Sequence, residues 1–168
     1  ITDKFCNKFE LHFKLKFERH SFFMGYVTSI NDIKLLDAQM KKNKSKIGTL
    51  AARIRDEKMY ENNHVVKVKI RESFDRNPFP LAENFMRNYQ KKEKNNIYHH
   101  IGIYSYELQT LKDFVSFKQS KKELKNKLEQ LRALDNGIDI NVGLASKSPI
   151  GVDTQEDFLA IKKIMKYK

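Results

Sequence analysis

Ten consecutive residues, Ile97-Tyr98-His99-His100-Ile101-Gly102-Ile103-Tyr104-Ser105-Tyr106, are mostly β-branched or aromatic, and such a run packs well only on a pleated, buried surface. A central strand is expected there. At period two, Ile97, Ile101 and Ile103 point toward the core, while His100, Gly102, Tyr104 and Tyr106 share the opposite face. Around this run the hydrophobic period switches repeatedly. Residues 9–18 alternate apolar and polar as a strand does. Ile33, Leu36 and Met40 have helical spacing, with Ser29 or Asn31 as N-cap and an end near Lys42. Residues 46–52 read as a buried strand, residues 64–70 as another, and Asn77-Pro78-Phe79-Pro80 as a turn. Downstream, Leu108, Leu111 and Val115 predict a short helix. Ser120 and Glu123 form a capping box for a longer one, whose stripe is Leu124, Leu128, Leu131 and Leu134 and whose stop is Gly137. Ile138, Ile140, Val142 and Leu144 alternate as a strand, and Phe158, Ile161, Ile164 and Met165 mark a final helix capped by Thr154 with Asp157. Strands alternating with helices imply an α/β layered fold with a mainly parallel sheet.

Composition narrows the class. The chain has 168 residues, 40% of them hydrophobic, enough for one domain with a real core and too many for a disordered basic tail. Its single cysteine, Cys6, excludes an internal disulfide framework and suits a reducing compartment. No apolar run approaches the roughly 18–20 residues of a membrane span, and the charged opening at Asp3 and Lys4 is unlike a signal peptide. A cytoplasmic protein without a membrane anchor is expected. The 33 Lys and Arg against 21 Asp and Glu leave a net charge of +12. The lysines are scattered over separate segments, which reads as solvated surface rather than a nucleic-acid stripe. A basic module for nucleic acid or anionic surfaces is the alternative, and it predicts binding that falls steeply with salt.

No phosphate-cradling glycine loop or nucleophile elbow is present in the sequence. His99 and His100 are adjacent and would point to opposite faces of a strand, a poor chelate. His100 and Tyr104 flank Gly102 on one face, and a strand rise of about 3.3 Å per residue sets them roughly 13 Å apart. They either line a groove, with the glycine marking a close approach, or pack beneath a helix. Asp153 lies between a strand end and a helix start, where it either holds Mg²⁺ or complements the helix N-terminus. Glu129, Gln130 and Arg132 lie beside the leucine stripe and read as solvated polar residues.

Five segments together resemble the C-terminal part of the CMP-Kdo synthetases, the 3-deoxy-manno-octulosonate cytidylyltransferases of lipopolysaccharide synthesis. They are Ile47-Gly48-Thr49-Leu50-Ala51, Val65-Val66-Lys67-Val68, residues 98–106 with their H-x-G-I-Y, Leu128-Glu129-Gln130-Leu131-Arg132, and Gly151-Val152-Asp153-Thr154-Gln155-Glu156-Asp157. The resemblance spans residues 31–168 and implies part of a nucleotide-diphospho-sugar-transferase-like, Rossmann-like layered sheet with flanking helices. It implies attack of the anomeric hydroxyl of Kdo on the α-phosphorus of CTP, with Mg²⁺ neutralising charge, and full-length relatives that are homodimers. Residue by residue it implies Asp153 as a metal ligand, His100, Tyr104, Glu129 and Gln130 around the sugar, and Arg87 paired with the sugar carboxylate. Residues 1–30 resemble no part of the family. The family's CTP-phosphate loop has no counterpart before Asn31, and Met24-Gly25-Tyr26-Val27-Thr28 replaces its V-Q-G-D metal motif. The expectation is a sugar-binding half joined to unrelated sequence, as a truncated or frameshifted reading frame produces, and inactive alone.

Overall fold

The computed structural model describes residues 29–89 and 95–147. The expected strand at 9–18, the final helix and its cap at Thr154, and Asp153 lie outside the described residues.

Helix α1 (Ile30–Asn43) starts at Ser29, whose side chain accepts from the Asn31 N–H, and ends at Lys44 in the left-handed conformation. The remaining elements are β1 (Ile47–Ala52), α2 (Lys58–Glu61), β2 (Lys67–Ile70), β3 (Ala82–Met86), β4 (Ile97–Tyr106), α3 (Leu108–Ser116), α4 (Lys121–Asn126), α5 (Leu131–Asp135) and β5 (Ile140–Leu144). The five strands form one sheet in the order β3-β2-β4-β1-β5, so the β-branched and aromatic run is central as expected.

The sheet is not mainly parallel. Only β1 and β5 run parallel, whereas β1 with β4, β2 with β3, and β2 with β4 are antiparallel. Parallel neighbours need a long crossover, usually helical, and no described residue between β2 and β4 is helical. Both faces of β4 are covered. On one side Ile101 joins Leu50, Ala52, Phe79 and Ala145 beneath Leu36 and Met40 of α1. Burying such side chains stabilises by about 1.5–3 kcal/mol each. On the other side Tyr98 packs with Ile47, Ala51, Val68 and Phe85, under Phe114, Leu128, Leu131 and Ala133 of the later helical segment.

The predicted 120–137 helix is two short ones. The Ser120/Glu123 capping box forms as expected, but Lys127 adopts φ 53 and stops α4. Leu124 therefore leaves the stripe and is 58% exposed. In α3 the inward residues are Thr110 and Phe114, while Leu108 and Val115 face solvent. Helix α1 also constrains β1 closely: a Cβ on Gly48 would meet Met40 Sδ at 2.5 Å and Leu36 Cδ1 at 3.0 Å. The thioether can swing, so Gly48→Ala is expected to cost about 1 kcal/mol, at the low end of overpacking penalties. A lowered urea midpoint with an unchanged m-value is the result to look for.

Candidate functional site

The pairing of β4 with β1 contains an irregularity that organises the site. Thr49 is opposite Tyr104 and Leu50 opposite Ile101, so one step along β1 spans three along β4. Gly102 and Ile103 are the excess. Such a bulge bends the strand and re-aims its side chains, and the His100 and Tyr104 rings lie 5.4 Å apart. This corrects the roughly 13 Å expected from a regular strand rise. Among the described residues Gly102 admits no neighbouring backbone, since a Cβ built on it meets nothing of them within 4 Å; it sits in the bulge.

Thr49 Oγ1 lies 2.7 Å from the Ile103 carbonyl oxygen, 3.3 Å from that of Ile101 and 3.0 Å from His100 Nε2. The buried His100 also meets the Phe85 ring edge-on at 5.0 Å. Tyr104 leans toward Tyr106 at 5.9 Å, and Tyr106 toward Phe114 at 5.8 Å. An aromatic file thus crosses the helix-covered face of the sheet. Burial, helped by His99, pushes His100 down to about 3, so its ring is neutral. Burial first, then Tyr106 and Glu129, pushes the Tyr104 hydroxyl well up and keeps it protonated. That hydroxyl is buried without a hydrogen-bond partner among the described residues. Buried polar atoms are nearly always satisfied, so this orphaned hydroxyl, on a ring packed against a neutral imidazole, is the chemically open point of the region.

The two residues before Leu131 behave differently. Gln130 is 9% exposed, which corrects its reading as a solvated residue. The Glu129 side chain is 51% exposed and its carboxylate lies 3.6 Å from Arg132. Arg132 is itself buried, stacked over Phe114 at 4.9 Å and hydrogen-bonded to Glu123 through Nε at 2.8 Å. It belongs to the packing of α3, α4 and α5 and not to the solvated surface expected of it.

Arg87 follows β3 and turns toward the carbonyls of Asn63, His64, Asn126 and Lys127, all at 3.4–3.5 Å. Its guanidinium therefore borders the stretch that leads into Glu129 and Gln130. Sequence reasoning missed its neighbour. Lys67 is fully buried on β2, donating from Nζ to the Asn62 and Arg87 carbonyl oxygens at 2.7 and 2.8 Å. Burial, then the Arg87 guanidinium, pushes its ammonium down to about 8. The available signal was a lysine between Val66 and Val68 in a strand read as buried. Thr49 and Asp32 were also missed. The Asp32 carboxylate accepts from Ser146 N and Oγ at 3.1 and 3.0 Å, tying α1 to the end of β5.

Other features stand apart. A hollow of about 450 Å³ is lined by Arg71, Glu83, Lys122, Asp135 and Asp139 among others. Its charges already meet one another, Lys122 with Asp135 at 2.6 Å and Arg71 with Asp139 at 3.5 Å. Among the described residues no group of three or more His, Cys, Asp or Glu is placed to hold a metal ion, and no helix is long and apolar enough to cross a membrane.

Known proteins resemble this chain in sequence and in fold. The family model for cytidylyltransferases matches residues 27–140. The 3-deoxy-manno-octulosonate cytidylyltransferase of Thermodesulfovibrio yellowstonii is 42% identical over 132 residues, 75% of this chain and 51% of that protein. That of Bartonella tribocorum is 38% identical over 125 residues, 71% of this chain and 48% of that protein. A solved structure of CMP:2-keto-3-deoxy-manno-octonic acid synthetase complexed with CTP superposes with a TM-score of 0.69 at 26% identity, covering 80% of this chain and 55% of that one. The chain spans about half the length of the curated relatives it matches. Sequence and fold agree that the chain belongs to the cytidylyltransferase family.

Proposed function

We propose that the chain carries the sugar-acid side of a cytidylyltransferase that joins CMP to 3-deoxy-manno-octulosonate. The supporting observation is the bulge-driven meeting of His100 and Tyr104 at 5.4 Å, with the Tyr104 hydroxyl buried and unpartnered. In the reaction the anomeric hydroxyl attacks the α-phosphorus of CTP, a P–O bond forms, the bond to pyrophosphate breaks, and the hydroxyl proton is lost. Neutral His100 and Tyr104 offer an acceptor and a donor to sugar hydroxyls, Glu129 and Gln130 add further hydrogen bonds to the sugar, and Arg87 supplies the positive charge for the sugar carboxylate. Asp153 is proposed as this chain's carboxylate toward Mg²⁺, an ion that takes one or two carboxylates together with substrate phosphates.

The test is a titration of the 168-residue chain with 3-deoxy-manno-octulosonate. Tyr104→Phe is expected to weaken binding about fivefold, the worth of one neutral hydrogen bond. Arg87→Ala is expected to weaken it about 10–100-fold, the worth of a charge-assisted one. Binding that is indifferent to both substitutions sinks the proposal. The 168 residues alone are expected to release no pyrophosphate from CTP, because nothing in them matches the family's phosphate-holding loop and positioning of the phosphates carries most of such catalysis. Pyrophosphate release that disappears in Asp153→Ala is the contrary result.

A further inference from the structure

Thr49 is fully buried in the middle of β1, and what its hydroxyl touches determines where His100 carries its proton. A carbonyl oxygen only accepts, and a threonine hydroxyl has one proton to give. Two oxygens 2.7 Å apart need a proton between them, which places the Thr49 proton toward the Ile103 carbonyl. The 3.0 Å contact to His100 Nε2 must then use a proton from the imidazole and a lone pair of Thr49. The opposite assignment would leave the hydroxyl oxygen against two carbonyl oxygens with no proton facing either.

We infer that Thr49 is a positioning residue that locks His100 as the Nε2–H tautomer and leaves Nδ1 a bare hydrogen-bond acceptor for a hydroxyl of a bound polyol. The ring is held neutral by burial, so the acceptor persists at physiological pH. The same hydroxyl faces the carbonyls of both Ile101 and Ile103, on either side of the step where Gly102 and Ile103 bulge out. It therefore also fastens the bend that brings the Tyr104 ring to 5.4 Å from that of His100. An acceptor at His100 and a donor at Tyr104 suit two neighbouring hydroxyls, one giving its proton to Nδ1 and the other accepting from Tyr104. The identity of the polyol as a sugar acid rests on the proposed function; the tautomer does not.

The experiment is long-range ¹H–¹⁵N correlation of the imidazoles in the full chain labelled with ¹⁵N-histidine. The His100 pattern is assigned among the 5 histidines by its loss in His100→Gln. The wild type and Thr49→Ser, which keeps the hydroxyl, are expected to show only the Nε2–H tautomer from pH 6 to 8. Thr49→Val, equal in shape but without the hydroxyl, is expected to show a mixture or the Nδ1–H form. An Nδ1–H or cationic His100 in the wild type at pH 7 overturns the inference, and so does an unchanged pure Nε2–H form in folded Thr49→Val. If Thr49→Val does not fold, the wild type and Thr49→Ser still decide, since either one showing Nδ1–H overturns it. Adding 3-deoxy-manno-octulosonate provides the separate arm: a pure Nε2–H ring whose Nδ1 resonance ignores the sugar removes the proposed substrate and leaves the role of Thr49 standing.

Discussion

Arg132→Ala is expected to destabilise the fold by about 3–5 kcal/mol, the usual cost of leaving one member of a buried ion pair alone. The side chains of Arg132 and Glu123 are only 11% and 6% exposed, and Arg132 reaches both carboxylate oxygens of Glu123. Removing the guanidinium strands that carboxylate between α4 and α5 and also removes the cation over the Phe114 ring. Glu123→Ala should cost a similar amount with the capping box added, because its carboxylate accepts from the Ser120 N–H. The double variant should cost about 2 kcal/mol or more less than the two singles together, since neither charge is then stranded. Equilibrium urea unfolding of the four proteins measures this, and strict additivity overturns it. Hydrogen bonding to Arg132 holds the Glu123 carboxyl below its ordinary value of 4.5. Its contribution is thus complete above that value and is lost as pH falls below it, a dependence Arg132→Ala should weaken.

What the sequence revealed and what it hid divide along the range of the interactions concerned. The caps at Ser29 and Ser120 were legible because a side chain and an N–H two or three residues away suffice to make them. The β4 run was legible because both of its faces are buried, so no amphipathic alternative competes with a strand. The bulge was not, because it is fastened by a Thr49 hydroxyl 52 and 54 residues away in sequence. Period two alone therefore misplaced His100 relative to Tyr104 while assigning them correctly to one face. Lys67 and Arg132 were hidden for a related reason. Each is a charge that composition assigns to water, and each is buried only because distant groups accept its protons: the Arg87 carbonyl for Lys67 and the Glu123 carboxylate for Arg132. The break at Lys127 was equally silent, since the leucine spacing continues across it. Strand direction was lost because β3 lies in a stretch read only as a turn, so the non-helical return from β2 to β4 went unseen.

Lowering the pH from 7 to 5 is expected to cost the wild type about 2 kcal/mol through His100 alone. Burial pushes this imidazole from 6.5 down to about 3 in the folded chain, while in the unfolded chain it titrates at its ordinary value. Between those limits the unfolded state binds a proton that the folded state refuses, so stability falls with pH by about 1.4 kcal/mol per pH unit. The penalty fades above 6.5 and levels off at about 5 kcal/mol below pH 3, where the folded ring at last takes the proton. The sign is that of a charge excluded from a site built for its neutral form: the proton would have to enter at Nδ1 of a buried ring packed against Phe85 and Tyr104, since Nε2 already donates to Thr49. His100→Gln removes the titrating group and should flatten the dependence between pH 6.5 and 5. The carboxyl groups of Glu123 and Asp135, ordinarily at 4.5 and 3.8 and lowered here by their bonds to Arg132 and Lys122, add their own losses only at more acid pH, and equally in both proteins. The difference between the two unfolding curves therefore isolates the imidazole, and one that stays constant from pH 7 to 5 is incompatible with a neutral, buried His100. The same exclusion of the proton keeps Nδ1 available as an acceptor, so the acid sensitivity is a stability cost of holding that nitrogen ready for a hydroxyl.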